Sequence, residues 1–126
     1  MKALQIVSTA WRCNVEEQDD PVVWMAQAMR SAGAELDLLL TEDAVGYAAR
    51  EQDASGLSFG GRAQTHPARL QEDLNRLLAK GVEVRFVEED AAERGLGPGD
   101  LLPGVRGTAR AALPALFASY DQVWRW

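Results

Sequence analysis

Few side chains in this 126-residue chain carry reactive chemistry. There is one cysteine, Cys13, one histidine, His66, and a carboxylate run, Glu88-Glu89-Asp90, to which Asp43 can be added. Cys13 is the only candidate for sulfur chemistry, which needs the thiolate because a thiol attacks poorly. Arg12 beside it favours that thiolate, whereas Glu16, Glu17, Asp19 and Asp20 would raise the thiol pKa if they came close. The plainer alternative is a half-buried, unreactive cysteine. Asp90 suits acid/base catalysis only where burial or a neighbouring like charge lifts its pKa toward neutrality. With Glu88, Glu89 and Asp43 it could instead hold a cation, or the whole group could simply favour the positive end of a helix. His66 suits a proton shuttle or a helix cap. Gly60-Gly61-Arg62 suits an anion-wrapping turn or an ordinary flexible loop. No phosphate-binding loop, dinucleotide fingerprint or Ser-His-Asp signature occurs in the sequence.

The composition narrows the classes further. An apolar fraction of 47% and a charged fraction of 25% are those of a globular domain, and 126 residues suffice for one core. The formal charge of −6 argues against nucleic acid, whose binders gain affinity from clustered cations. Here Arg62, Arg69, Arg76, Arg106 and Arg110 are scattered. Apolar runs are too short to span a bilayer, so no membrane partner and a cytoplasmic location are expected. One Cys and one His make neither an internal disulfide nor a structural metal site, and no cofactor is expected.

The elements that must position these residues alternate between strand and helix. Residues 3–8 (ALQIVS) read as a buried strand, followed by a long polar loop through Asp20. Asp20-Pro21 is a helix start, with Val22, Met25, Ala26 and Met29 at helical spacing and Gly33 as the stop. Residues 36–40 form a second strand, and Thr41 is expected to cap a helix running to Gln52. Residues 53–66 read as a loop, and Thr65-His66-Pro67 as the start of a helix with Leu70, Leu74, Leu77 and Leu78 inward. Residues 82–86 alternate as a strand, expected at the centre of the sheet, and feed the acidic helix start at Glu88. A break at Gly97-Pro98-Gly99, a short turn within 100–104 and an edge strand or extended link at 105–107 come next. A helix from Thr108 to Phe117, which either kinks at Pro114 or starts later than Thr108, and a final strand at 121–126 complete the chain. This order implies a single α/β domain. It would be a three-layer α/β/α sandwich with a mostly parallel sheet of about five strands, flavodoxin-like or Rossmann-like.

Several pieces resemble the DsrE/DsrF-like family, which includes YchN and the TusBCD-type sulfur-relay subunits. They are the helix ending in Lys80-Gly81-Val82-Glu83-Val84, Arg94-Gly95 after a short helix, and Leu101-Leu102-Pro103-Gly104-Val105. The last helix leading into a hydrophobic terminal strand, and Leu40-Thr41-Glu42-Asp43-Ala44-Val45 with Gln52, fit as well. The resemblance spans nearly the whole chain and implies a DsrE-like parallel-sheet fold and assembly into dimers, trimers or hexamers. In several members it also implies a cysteine that carries a persulfide. That cysteine would fall at Val87 or Asp90 here, and neither is cysteine.

Two functions from different classes follow. One is a sulfur-relay component that takes a persulfide on Cys13, assisted by Arg12, and hands it to a sulfur-carrier partner. The other is a non-catalytic oligomeric subunit or small-ligand-binding module. Its pocket would lie between residues 11–13 and the Asp90 turn, lined by Trp11, Asn14, Asp43 and Val87. A third reading makes Asp90 the acid/base group of an enzyme. Trp24 on the polar side of its helix and Trp126 at the end of the sequence suit subunit contacts in a homo-oligomer, or ordinary packing.

Overall fold

The computed structural model describes residues 1–12, 20–53 and 55–126. Five strands make one sheet: β1 (Lys2–Val7), β2 (Glu35–Leu40), β5 (Val84–Val87), β6 (Arg106–Thr108) and β7 (Gln122–Arg125). Their order is β6-β5-β2-β1-β7, and every neighbouring pair is parallel. The centre of the sheet is therefore β2, not the strand ending at Val87. The reason is the return of the chain: β7 pairs with β1 on the far side, which moves the middle position to β2. Strands buried on both faces need nearly continuous apolar sequence, which residues 36–40 supply apart from Asp37.

One face of the sheet carries the larger core. Leu36, Leu38, Leu40, Ala3, Val7 and Val84 pack there against Val22, Val23 and Ala26 of α1 (Pro21–Ser31). Leu70, Leu74 and Leu77 of α2 (Leu70–Ala79) complete that layer. Asp20 caps α1 as its sequence suggests, its Oδ1 accepting from the Val22 and Val23 amides at 2.9 and 3.3 Å. The opposite face is thinner: among the described residues Leu4, Ile6, Leu39 and Val87 meet Leu113, Leu116 and Phe117 of α4 (Leu113–Ala118) and Tyr120 beyond it. The short α3 (Glu88–Glu93) leaves β5 directly.

Local structure departs from the sequence reading in four places. The segment after Thr41 is a 3-10 helix over Glu42–Ala48 and stops short of Gln52. Thr41 provides no side-chain cap, its hydroxyl lying instead toward the Val7 carbonyl at 3.5 Å. Within residues 53–66, Ser58–Phe59 (β3) and Arg62–Ala63 (β4) pair as a small antiparallel hairpin. Gly60 and Gly61, at φ 53° and 79°, form its turn, so this glycine pair serves a hairpin rather than an anion. The helix expected at His66-Pro67 begins at Leu70, because Arg69 has a non-helical backbone. Finally, residue 108 ends β6, with the Thr108 hydroxyl accepting from Arg85 at 3.1 Å. A 3-10 turn at Arg110–Ala112 follows, and α4 starts at Leu113, which places Pro114 in the first turn where a missing amide costs little.

Candidate functional site

Parallel α/β sheets gather ligands at the carboxyl ends of their strands. At that edge β1, β2 and β5 end beside one another, and α3 begins without a connecting loop. The geometry delivers Asp90, on the first turn of α3, against the start of the 3-10 helix that follows β2. Asp90 is 7% exposed, yet both its oxygens are engaged. Oδ2 accepts from the Glu42 amide at 2.7 Å and Oδ1 accepts from Arg110 Nη2. The bond to Asp90 raises the pKa of the Arg110 guanidinium, so this arginine is even more firmly protonated than usual.

The Glu42 amide is offered in this direction because Glu42 adopts φ 51°, a left-handed conformation uncommon for a residue with a side chain. Asp90 therefore holds a strained turn in place. The Glu42 carboxylate in turn accepts from Arg125 Nη2 at 3.0 Å, and Arg125 Nε reaches Ser8 Oγ at 3.4 Å. These groups surround a cavity of about 460 Å³. Its polar wall is Thr41, Glu42, Asp90, Arg110 and Arg125, and its apolar lining is Ile6, Val87, Leu113 and Phe117. Val87 and Asp90, the two alternative positions that the family resemblance offers for a thiol, both line this one cavity.

The residues around Cys13 go elsewhere. Trp11 stacks edge-on against the buried Tyr47, with ring centroids 5.0 Å apart, and its amide donates to the Tyr47 hydroxyl at 2.6 Å. Tyr47 donates to Asp20 Oδ2 at 2.6 Å, and burial followed by that carboxylate pushes its pKa up. Arg12 Nε lies 3.8 Å from the same Asp20 oxygen, and its Nε and Nη2 are buried without a hydrogen-bond acceptor among the described residues. Trp11 lines a different cavity, of about 690 Å³, together with Gly46, Gln52, Arg69 and Arg94. Cys13 and Asn14 lie outside the described residues.

The pocket expected between residues 11–13 and the Asp90 turn is therefore not one pocket among the described residues. The 3-10 helix intervenes: it presents Tyr47 to Trp11 on one side and the Glu42 amide to Asp90 on the other. Arg94 spans the division, donating to the Asp90 carbonyl at 3.1 Å and to Asp43 Oδ1 at 2.8 Å. Asp43 is consequently an exposed arginine partner and is absent from the Asp90 cavity. The acidic run does not act as a unit either. Glu89 accepts from the Arg110 amide at 2.8 Å. Glu88 packs over Gly107, where a Cβ would come within 2.6 Å of its Oε1. Among the described residues no group of three or more His, Cys, Asp or Glu is placed to hold a metal ion. His66 is exposed, with its Nδ1 3.0 Å from the Thr65 hydroxyl.

Sequence reasoning found Asp90 and Val87 but missed Glu42, Arg110 and Arg125 as their neighbours. The rule about strand ends could have nominated Thr41 and Glu42. Arg125 could not be placed without knowing that the last strand returns beside β1.

No protein-family model and no curated protein matches the chain. Solved structures do. The ychN protein from E. coli superposes with a TM-score of 0.72 over 100% of both chains at 22% identity. The protein of unknown function MTH1491 from Methanobacterium thermoautotrophicum gives 0.60 at 13% identity, covering 99% of this chain and 98% of that one. The chain thus has the DsrE/YchN-like α/β fold. No described helix is long and apolar enough to cross a membrane.

Proposed function

We propose that this protein is a small-ligand-binding module of the DsrE-like fold, using the cavity around Asp90 and lacking persulfide chemistry there. The observation that carries the reading is the state of Asp90. The cavity stands where the family resemblance expects a thiol, but its carboxylate is bound by an arginine and by a backbone amide. A carboxylate so engaged is neither a nucleophile nor a poised general base, whereas the mixed lining suits a small amphipathic molecule. The module assembles with like copies. The exposed Trp24, Val123 and Trp126, with Val123 and Trp126 at or next to the unpaired edge of β7, support that expectation.

One observation favours the second reading, persulfide relay through Cys13. The buried Arg12 nitrogens, without acceptors among the described residues, adjoin Cys13 in sequence and would welcome an anion. In that reaction the Cys13 thiolate takes the outer sulfur of a donor persulfide and the donor leaves as a thiolate.

One comparison tests both readings. Ile6 is the only isoleucine in the chain and lines the cavity, so its labelled methyl group reports binding there. A fragment library should yield compounds that shift this methyl in the wild type and in Cys13→Ser alike. A library without effect on Ile6 would sink the ligand-binding reading. Gain of one sulfur atom from a persulfide donor, absent in Cys13→Ser, would establish the relay instead.

A further inference from the structure

The two arginines of the Asp90 cavity are held very differently, and the difference names the chemical class of ligand. Arg110 is tied to a carboxylate whose side chain is only 10% exposed. Withdrawing Arg110 would leave that buried charge short of a partner, so this pair is fixed. Arg125 is tied to Glu42, and both side chains lie more than half in water, at 63% and 56% exposure. Such a pair contributes little, and Glu42 loses almost nothing by returning to solvent. Its own backbone stays in place, because the amide is held by Asp90 and not by the side chain.

Below Arg125 the cavity has an apolar floor of Ile6, Val87, Leu113 and Phe117. Resting on the ligand-binding reading above, we propose that the cavity takes a small carboxylic acid with an apolar body, whose carboxylate displaces Glu42 from Arg125. Glu42 is then an internal stand-in for the ligand, covering Arg125 when the cavity is empty. The apolar body lies on Ile6 and Phe117, where burial supplies the favourable term. The arginine, whose Nε is held by the Ser8 hydroxyl at 3.4 Å, orients the anionic end. A neutral molecule of the same shape gains the floor but not the arginine. A dianion meets Asp90 and Glu42 together and is disfavoured.

The experiment follows the Ile6 methyl during titration with sodium hexanoate and, separately, 1-hexanol. Hexanoate should bind more tightly than hexanol. Arg125→Gln should weaken hexanoate by about two- to five-fold, the worth of an ion pair on a half-exposed arginine, and leave hexanol unchanged. Glu42→Gln should strengthen hexanoate about two- to five-fold by removing the competing carboxylate. Equal binding of hexanol and hexanoate, or indifference of hexanoate to Arg125→Gln, overturns the proposal. If other fragments still move Ile6 in that case, the ligand-binding reading stands without it. Silence of Ile6 toward every compound removes both.

Discussion

Two buried aspartates sit at opposite ends of the same sheet, and they are built for different purposes. Asp37, on β2 toward the amino-terminal edge, accepts from three donors. These are Lys2 Nζ at 2.7 Å, the Tyr120 hydroxyl at 2.6 Å and the Glu83 amide at 2.9 Å. Those donors come from β1, from the segment between α4 and β7, and from the approach to β5, so one carboxylate fastens three parts of the chain. Lys2 also lies over the Tyr120 ring, 5.2 Å from its centroid. Asp90, at the carboxyl-terminal edge, accepts from two donors among the described residues, and its arginine borders a cavity. The first aspartate closes the thin face of the sandwich; the second shapes an opening. A buried carboxylate is therefore not a functional signal by itself. What distinguishes the two is whether the partners enclose it completely or border open space.

The largest expected effect lies at the closed end. Asp37→Ala would leave a half-buried phenol and a backbone amide without their acceptor and release Lys2 to water, and should cost about 2 kcal/mol of stability in urea unfolding. The pH dependence provides an independent check through Asp37→Asn. Burial raises the pKa of Asp37, but the hydrogen bonds from Lys2, Tyr120 and the Glu83 amide outweigh it and leave the pKa below the ordinary 3.8. A lowered carboxylate pKa means stability that is present in full above the ordinary value and lost as pH falls through the lower folded value. The stability gap between wild type and Asp37→Asn should accordingly stay constant above about pH 5 and close in stronger acid. A gap that persists unchanged into strong acid would show that the carboxylate charge is not what Asp37 contributes.

The tyrosines sharpen the same contrast with a smaller effect. The chain has two, Tyr47 and Tyr120, and burial followed by a carboxylate partner raises the pKa of each above the ordinary 10.0. A raised phenol pKa means stability present below pH ~10 and lost as pH rises through the folded value. Near-ultraviolet absorbance of the native protein should therefore show no tyrosinate where unfolded protein is already half ionised. Asp37→Asn should bring down only the Tyr120 half of that signal, since Tyr47 depends on Asp20 at the other end. Movement of both halves would mean that the two ends are coupled.

How much of this was legible beforehand follows the range of the interactions. The Asp20 cap, the leucine stripe of α2 and the strand-to-helix junction at Val87-Glu88 depend on residues a few positions apart, and local pattern finds them. The fold class follows from the alternation of such pieces. Asp37 gave no signal: it interrupts an apolar strand, and its partners Lys2, Tyr120 and Glu83 are remote in sequence. Thr41 shows the limit of cap rules. Its sequence context fits a cap, but the turn it opens is a 3-10 helix whose first amide is satisfied by Asp90, 48 positions away. The hairpin at Ser58–Ala63 could have been read from Gly60-Gly61, a two-residue turn signal, but its four short strand residues carry too little pattern to weigh. Asp90 was legible as a site residue because topology favours strand ends. Its arginine partner was not, because Arg110 reaches it from the far side of β6.

The smallest effect separates shape from charge at Asp90. Asp90→Asn keeps an oxygen that can accept from the Glu42 amide, while its NH2 replaces the other oxygen and releases the half-exposed Arg110 to water. Its stability should fall by less than about 1 kcal/mol, far short of Asp37→Ala. Asp90→Ala removes the acceptor as well and leaves Glu42 in its left-handed conformation with nothing bound to its amide. Hydrogen exchange at that one amide distinguishes the two: protection should survive in Asp90→Asn and vanish in Asp90→Ala. If Asp90→Asn also loses protection, the ion pair with Arg110 positions the carboxylate, and the open end of the sheet depends on charge as strongly as the closed one.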